Sequence, residues 1–197
     1  MTVPTRQIRA VFDDETITVY QAYRPEIGDA AAGLGRFPDW YRRDRMTWIK
    51  PSFLWMMYRC GWATKPDQER VLAIRLRRDG FDAAVRQGVP SHHDHDRYAQ
   101  LADWRRALEQ SPVRVQWDPE RDLHLRPLPH RAIQIGLSGS AVAAYVDEWT
   151  VDITDVTGLA HEIHALVTAR DLDAATRLLP PEHPYPDPHG DASGGGR

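Results

Sequence analysis

The stretch Arg45-Met46-Thr47-Trp48-Ile49-Lys50-Pro51-Ser52-Phe53 gathers two cations, two hydroxyls and two aromatic rings around the start of a helix that Pro51 opens. The first backbone N–H groups of a helix are unpaired and its dipole is positive there, so a phosphate or carboxylate is favoured at such a place. Trp48, or Trp55 beyond it, offers a face on which a base or nicotinamide ring can stack. The plainer reading makes Ser52 a helix cap and the tryptophans core.

The segment Tyr20-Gln21-Ala22-Tyr23-Arg24-Pro25-Glu26 is a second candidate. With strand period two, Gln21 and Tyr23 share a face, and Arg24 stands at a helix start. Surface polarity plus a core tyrosine would explain the same residues. In Gln116-Trp117-Asp118-Pro119-Glu120-Arg121 a strand ends on two acids, a position that suits a carboxylate facing a cleft. An Asx-turn at Asp118 is the competing explanation.

Other chemistry-bearing residues point to little. Ser91-His92-His93-Asp94-His95-Asp96 has metal-ligand types, but all lie in one loop with no matching Cys or His pair elsewhere. A solvated loop is expected, and no metal. His161 and His164 are three apart and lack the H-E-x-x-H pattern of zinc proteases. Gly136-Leu137-Ser138-Gly139 is too short for a phosphate loop. Cys60 sits inside an apolar helix, where a thiol is ordinarily packing.

The elements that must position these groups follow from residue pattern. Thr16–Tyr23 is rich in β-branched and aromatic residues and reads as a strand, and Pro25 opens a helix that Gly33 and Gly35 close. The helix from Pro51 to Gly61 is apolar on nearly every face, which places it at the centre of the fold. Strands are expected at 71–76, 113–117, 132–137 and 149–153, and helices at 81–87, 98–109, 140–147 and 157–179 with a break. Residues 119–129 read as a turn-rich connection. Strands and helices interleave without regular βαβ spacing, which favours an α+β fold with a mixed or antiparallel sheet. A single domain is expected over residues 6–179, followed by a Pro/Gly-rich flexible tail over 180–197.

Composition bounds the function. The 197 residues are 42% hydrophobic and 27% charged, an ordinary globular balance. No apolar run approaches the roughly 18 residues of a membrane span, and the N-terminus lacks the apolar core of a signal peptide. A single cysteine fits a reducing, cytoplasmic setting. Only Lys50 and Lys65 are lysines; the other 23 basic residues are arginines, whose planar forks suit carboxylate and phosphate. The net charge of −3 argues against a general nucleic-acid coat and leaves room for a local anion site.

The motifs at 19–23, 45–59, 113–121 and 134–139 together resemble the domain of unknown function 4291 family across about residues 6–185. A weaker resemblance is to the ADP-ribosyltransferases, whose core begins with a strand ending in an aromatic then His or Arg, then a turn and helix. A strand carrying Ser or Tyr and leading into a helix follows there. Tyr20–Glu26 and Met46–Phe53 are similar to those two units, with Gln21 where His or Arg is usual.

That resemblance implies an NAD-using, ADP-ribosyltransferase-like transferase acting on an unknown acceptor. Gln21 and either Glu120 or Glu148 would be catalytic. Tyr20, Tyr23, Arg24, Arg45, Thr47, Trp48, Lys50 and Ser52 would hold the dinucleotide, with Arg45 and Lys50 on the pyrophosphate. The expected cleft is lined by residues 20–26, 45–52 and 116–121, and its ligand is a nucleotide-like small molecule. The alternative is a non-enzymatic module that binds nucleic acid or a nucleotide through the Arg/Trp-rich segment 36–50.

Overall fold

The computed structural model describes residues 3–190. Along the chain these residues form β1 (Arg9–Ala10), β2 (Thr16–Tyr23), α1 (Pro25–Leu34), β3 (Thr47–Ile49), α2 (Phe53–Cys60), β4 (Arg70–Arg77), α3 (Arg78–Gln87) and β5 (Val89–Pro90). Then come α4 (Leu101–Gln110), β6 (Val113–Arg121), β7 (Pro127–Leu137), α5 (Ser140–Ala144), a π-helical turn (Tyr145–Trp149), β8 (Thr150–Asp155), α6 (Thr157–Thr168), α7 (Leu172–Leu178) and β9 (His183–Pro184). The architecture is a single α+β domain.

Two sheets organise it. The first is β2-β4-β8, antiparallel throughout, and the second is β3-β7-β6-β5, antiparallel except for the parallel β5–β6 pair. An isolated bridge from Tyr20 to Lys50 ties β2 to the end of β3. Strand alternation then sorts the side chains. Ile17, Val19, Leu72, Ile74 and Leu76 face Ile49, Val113, Ile133, Ile135 and Leu137 of the second sheet in one core. Tyr20 and Val71 face the other way, onto Phe53, Met56 and Met57 of α2 and Ala160 and Ile163 of α6.

Several boundaries differ from the sequence expectation. Strand β6 runs through Pro119 to Arg121, with a bulge between them, where a turn was expected; Arg131 opposite Pro119 gives its own N–H to the Thr5 carbonyl, so the pair needs no N–H from the proline. The helix expected to reach residue 147 turns into the π-helical Tyr145–Trp149 after Ala144. Helix α2 buries Phe53, Trp55, Met56, Met57 and Cys60, but leaves Tyr58 41% exposed with the Arg121 guanidinium 3.5 Å above its ring. Residues 180–190, expected to begin a loose tail, lie against the domain: β9 pairs with β1, and the ring of Tyr185 is buried against Phe12 and Phe81. The rest of that tail lies outside the described residues.

Helix α1 packs close on β4 through Gly28. A β-carbon there would stand 2.3 Å from Arg70 Cβ, which is fixed to the backbone and cannot swing away. Gly28→Ala is therefore expected to destabilise the fold by about 1–3 kcal/mol, as overpacked sites do, despite alanine's better helix propensity. Urea unfolding checks this.

Candidate functional site

Gln21 sits on the core-facing side of β2 and is 5% exposed, so its amide must find every partner inside the protein. It does. Gln21 Nε2 donates to Thr47 Oγ1 at 2.7 Å and to the Trp48 carbonyl at 2.9 Å. Gln21 Oε1 accepts from Tyr23 at 2.7 Å and from Tyr145 at 2.6 Å. The Trp48 carbonyl can only accept, which fixes the amide nitrogen on that side.

The remaining protons then have one consistent arrangement. Tyr23 spends its proton on Gln21, so Tyr41 donates to Tyr23 at 2.8 Å, and Thr47 donates to Tyr41 at 3.3 Å. Gln21, Thr47, Tyr41 and Tyr23 thus close a ring of hydrogen bonds, a setting in which each bond strengthens the next. Burial and the neighbouring tyrosine hydroxyls push the Tyr23 phenol well above its usual range, and burial does the same at Tyr145. Both remain donors.

The Trp48 carbonyl also accepts from Lys50 Nζ at 3.2 Å, which carries the polar seam to the start of α2. Lys50 is 6% exposed, and burial with the nearby Arg59 charge lowers its ammonium to about 7. Ser52 caps α2 by accepting from the Trp55 N–H and donates its own proton to Glu120 Oε1 at 2.8 Å. Glu120 also accepts from the Arg121 N–H, and burial raises its carboxyl above the usual value. Beside it, Glu182 Oε1 accepts the first free N–H of α2, from Phe53, at 2.7 Å. Burial, together with the Glu120 charge, pushes Glu182 to about 8.

At the other end of the seam, Tyr23 and Tyr41 form part of the wall of a cavity of about 430 Å³. Arg24, Glu26, Trp40, Arg42, Arg45 and Asp67 also line it. Arg24 pairs with Glu26 and Arg42 with Asp44. Arg45 makes no hydrogen bond or ion pair among the described residues. Trp40 is 52% exposed, a large ring left open at the same mouth. A guanidinium and an open indole on the wall of one cavity are the groups that hold an anion and stack a planar ring.

The expected site residues divide accordingly. Gln21, Tyr23, Thr47, the Trp48 carbonyl and Lys50 are joined by hydrogen bonds in one buried network, Ser52 and Glu120 form a second one at the start of α2, and Tyr20 packs on Phe53. Arg24 and Arg45 reach the 430 Å³ cavity; Lys50 does not line it. Neither Glu120 nor Glu148 lines it, and Glu148 is exposed on the π-helical turn. Gln116 and Asp118 line a second cavity of about 1100 Å³ with the His92–Asp96 loop and Arg131. Among the described residues no group of three or more His, Cys, Asp or Glu is arranged to hold a metal ion. Sequence reasoning missed Tyr145 and Glu182, which arrive from 124 and 129 residues along the chain from their partners Gln21 and Phe53.

The model of the DUF4291 family, a domain of unknown function, matches residues 7–185, and the chain belongs to that family. No curated protein matches it. No helix among the described residues is long and apolar enough to cross a membrane.

Proposed function

From a family without an assigned activity, and from the cavity at the end of β2, we propose that this protein is an NAD-using, ADP-ribosyltransferase-like transferase working in the cytoplasm on an unknown acceptor. The observation that carries the reading is that one 430 Å³ cavity is lined both by Arg45, which has no hydrogen-bond or ion-pair partner among the described residues, and by the exposed ring of Trp40. Its support from the fold is the run β2, α1, β3, α2, the same order of strand, helix, strand and helix on which the resemblance to ADP-ribosyltransferases rests. In this reading Arg45 and Arg24 hold the pyrophosphate, and Trp40 stacks on a ring of the dinucleotide.

The chemistry is charge stabilisation. Cleaving the nicotinamide–ribose bond leaves an oxocarbenium-like carbon, and a carboxylate beside it lowers the barrier. Glu26 and Asp67 are the carboxylates on the cavity wall. The seam behind Tyr23 and Tyr41 holds those two rings rigid, so the wall is pre-organised before ligand arrives.

The nucleic-acid alternative is weakened by the charges of segment 36–50. Arg36 pairs with Asp39, Arg42 with Asp44 and Arg43 with Asp147, so three of its four arginines are already matched by acids. The test is release of nicotinamide from NAD by wild type and by Arg45→Ala. Arg45 is exposed and has no partner among the described residues, so the variant should keep the wild-type melting temperature while release falls at least tenfold, about 1.4 kcal/mol. No release by wild type, with or without cell extract as acceptor source, would defeat the reading.

A further inference from the structure

Strand β5 ends at Pro90, opposite Val115, so from Gln116 onward no strand among the described residues covers that edge of β6. The cavity of about 1100 Å³ opens beside this edge and draws side chains from both faces of the strand, Gln116 and Asp118 from one and Trp117 from the other. Its size is at the top of the range of small-molecule sites, roughly 300–1,000 Å³.

The polar groups on its wall are locked to one another. The Asp118 carboxylate accepts from Gln116 Nε2 at 2.9 Å and from Gln134 Nε2 at 2.6 Å, one amide on each oxygen. With its nitrogen held there, Gln116 turns Oε1 to Ser91, whose hydroxyl donates to it at 3.2 Å. Ser91 has then spent its proton, so it accepts from His92 Nδ1 at 3.1 Å, and the neutral His92 ring keeps a lone pair at Nε2. Left unspent are an acceptor site on each Asp118 oxygen, the second N–H of Gln116 and the Nε2 lone pair. Acceptors and a donor set side by side suit hydroxyl groups, each of which both donates and accepts.

Charge narrows the class. The three arginines on the wall are already engaged: Arg6 beside Asp94 at 3.7 Å, Arg97 on the Gly88 carbonyl at 2.9 Å and Arg131 on the Trp117 carbonyl at 3.0 Å. Asp96, Asp118 and Asp187 line the cavity along with Asp94, so acids outnumber arginines and an anion is disfavoured. Trp117 adds an apolar ring face.

We propose that this cavity binds a neutral sugar. Two neighbouring hydroxyls donate to the two oxygens of Asp118, one of them accepts from Gln116 Nε2, and the C–H face of the sugar ring lies on Trp117. The site is independent of the nucleotide reading.

The test is saturation-transfer NMR of the full chain at neutral pH, with glucose, galactose, mannose, ribose and maltose each at millimolar concentration. At least one of these sugars is expected to take saturation, most strongly at its ring C–H protons. Asp118→Asn keeps the side-chain size, removes the charge and one acceptor, and should weaken that sugar at least about tenfold, as losing hydrogen bonds to a charged group does. A second measurement needs no variant. The same sugar should slow carbethoxylation of His92 by diethylpyrocarbonate several-fold and leave exposed His161, on α6 and outside the cavity, unchanged. Silence across the panel would overturn the proposal, as would binding of glucose 6-phosphate without any neutral sugar. Binding that leaves His92 unprotected, or that a folded Asp118→Asn protein retains in full, would overturn the assignment to this cavity.

Discussion

Gln21→Leu is expected to lower stability by about 3–5 kcal/mol, among the largest effects a single change can have here. The leucine side chain is similar in size, so packing is not the main loss. The loss is polar. Gln21 Oε1 is the acceptor for both Tyr23 and Tyr145, and Nε2 supplies Thr47 and the Trp48 carbonyl. Removing the amide leaves the Tyr145 hydroxyl without a partner, takes the acceptor from Tyr23 and the donor from Thr47, which keep only their bonds to Tyr41, and so breaks the ring at two points, each loss costing roughly 1–3 kcal/mol with partial relaxation. The Trp48 carbonyl keeps Lys50 and is spared. Tyr145→Phe is the contrast. It removes one of two donors to the same oxygen and should cost only about 1 kcal/mol. Urea denaturation of both variants checks the ratio, and a Gln21→Leu protein as stable as wild type would contradict the closed ring of hydrogen bonds.

Glu182→Gln is expected to raise stability by roughly 2–4 kcal/mol above pH 8 and to change it little at pH 4. The sign comes from the direction of the shift. An ordinary glutamate ionises near 4.5, whereas burial and the Glu120 charge hold Glu182 to about 8. Below 4.5 the carboxyl is protonated folded and unfolded alike. Between there and 8 the unfolded chain releases the proton while the folded one keeps it, so stability falls as pH rises and then levels off. Glutamine keeps an oxygen for the Phe53 N–H and removes the charge, so that slope should shrink. Glu120 is shifted the same way and leaves a residual slope. Lys50, lowered from 10.5 to about 7, acts oppositely: its contribution makes stability rise from pH 7 to 10.5. Melting temperatures of wild type and variant from pH 4 to 9 read the difference, and parallel curves would show that Glu182 ionises in the folded chain at its ordinary value and contradict the upward shift.

The fold was legible where local chemistry decides it. Strand β2 is β-branched, aromatic or polar at every position but Ala22, and α2 starts on the Ser52 cap and stops on Gly61 at φ 61°, a left-handed position that favours glycine. Arg45 and the strand–turn–helix around Arg24 were also legible, because a helix start and an arginine announce themselves locally. What was not legible is what distance brings together. Nothing near Gln21 in the chain says that its face is the core face, since its partners Thr47 and Tyr145 lie 26 and 124 residues away. Lys50 reads as a phosphate ligand from its neighbours, yet the register that bridges it to Tyr20 buries it. Glu182 stands among prolines that suggest a loose tail; only the pairing of β9 with β1 and the burial of Tyr185 bring it onto α2.

If the cavity at the end of β2 takes NAD, thermal denaturation with added ligand will show it. A ligand that binds only the folded state at 100 times its dissociation constant adds about 2.7 kcal/mol. A saturable rise in melting temperature with NAD is expected, one that survives added salt and is lost in Arg45→Ala. No shift at millimolar NAD, or a shift only with short RNA or DNA that high salt abolishes, would contradict it.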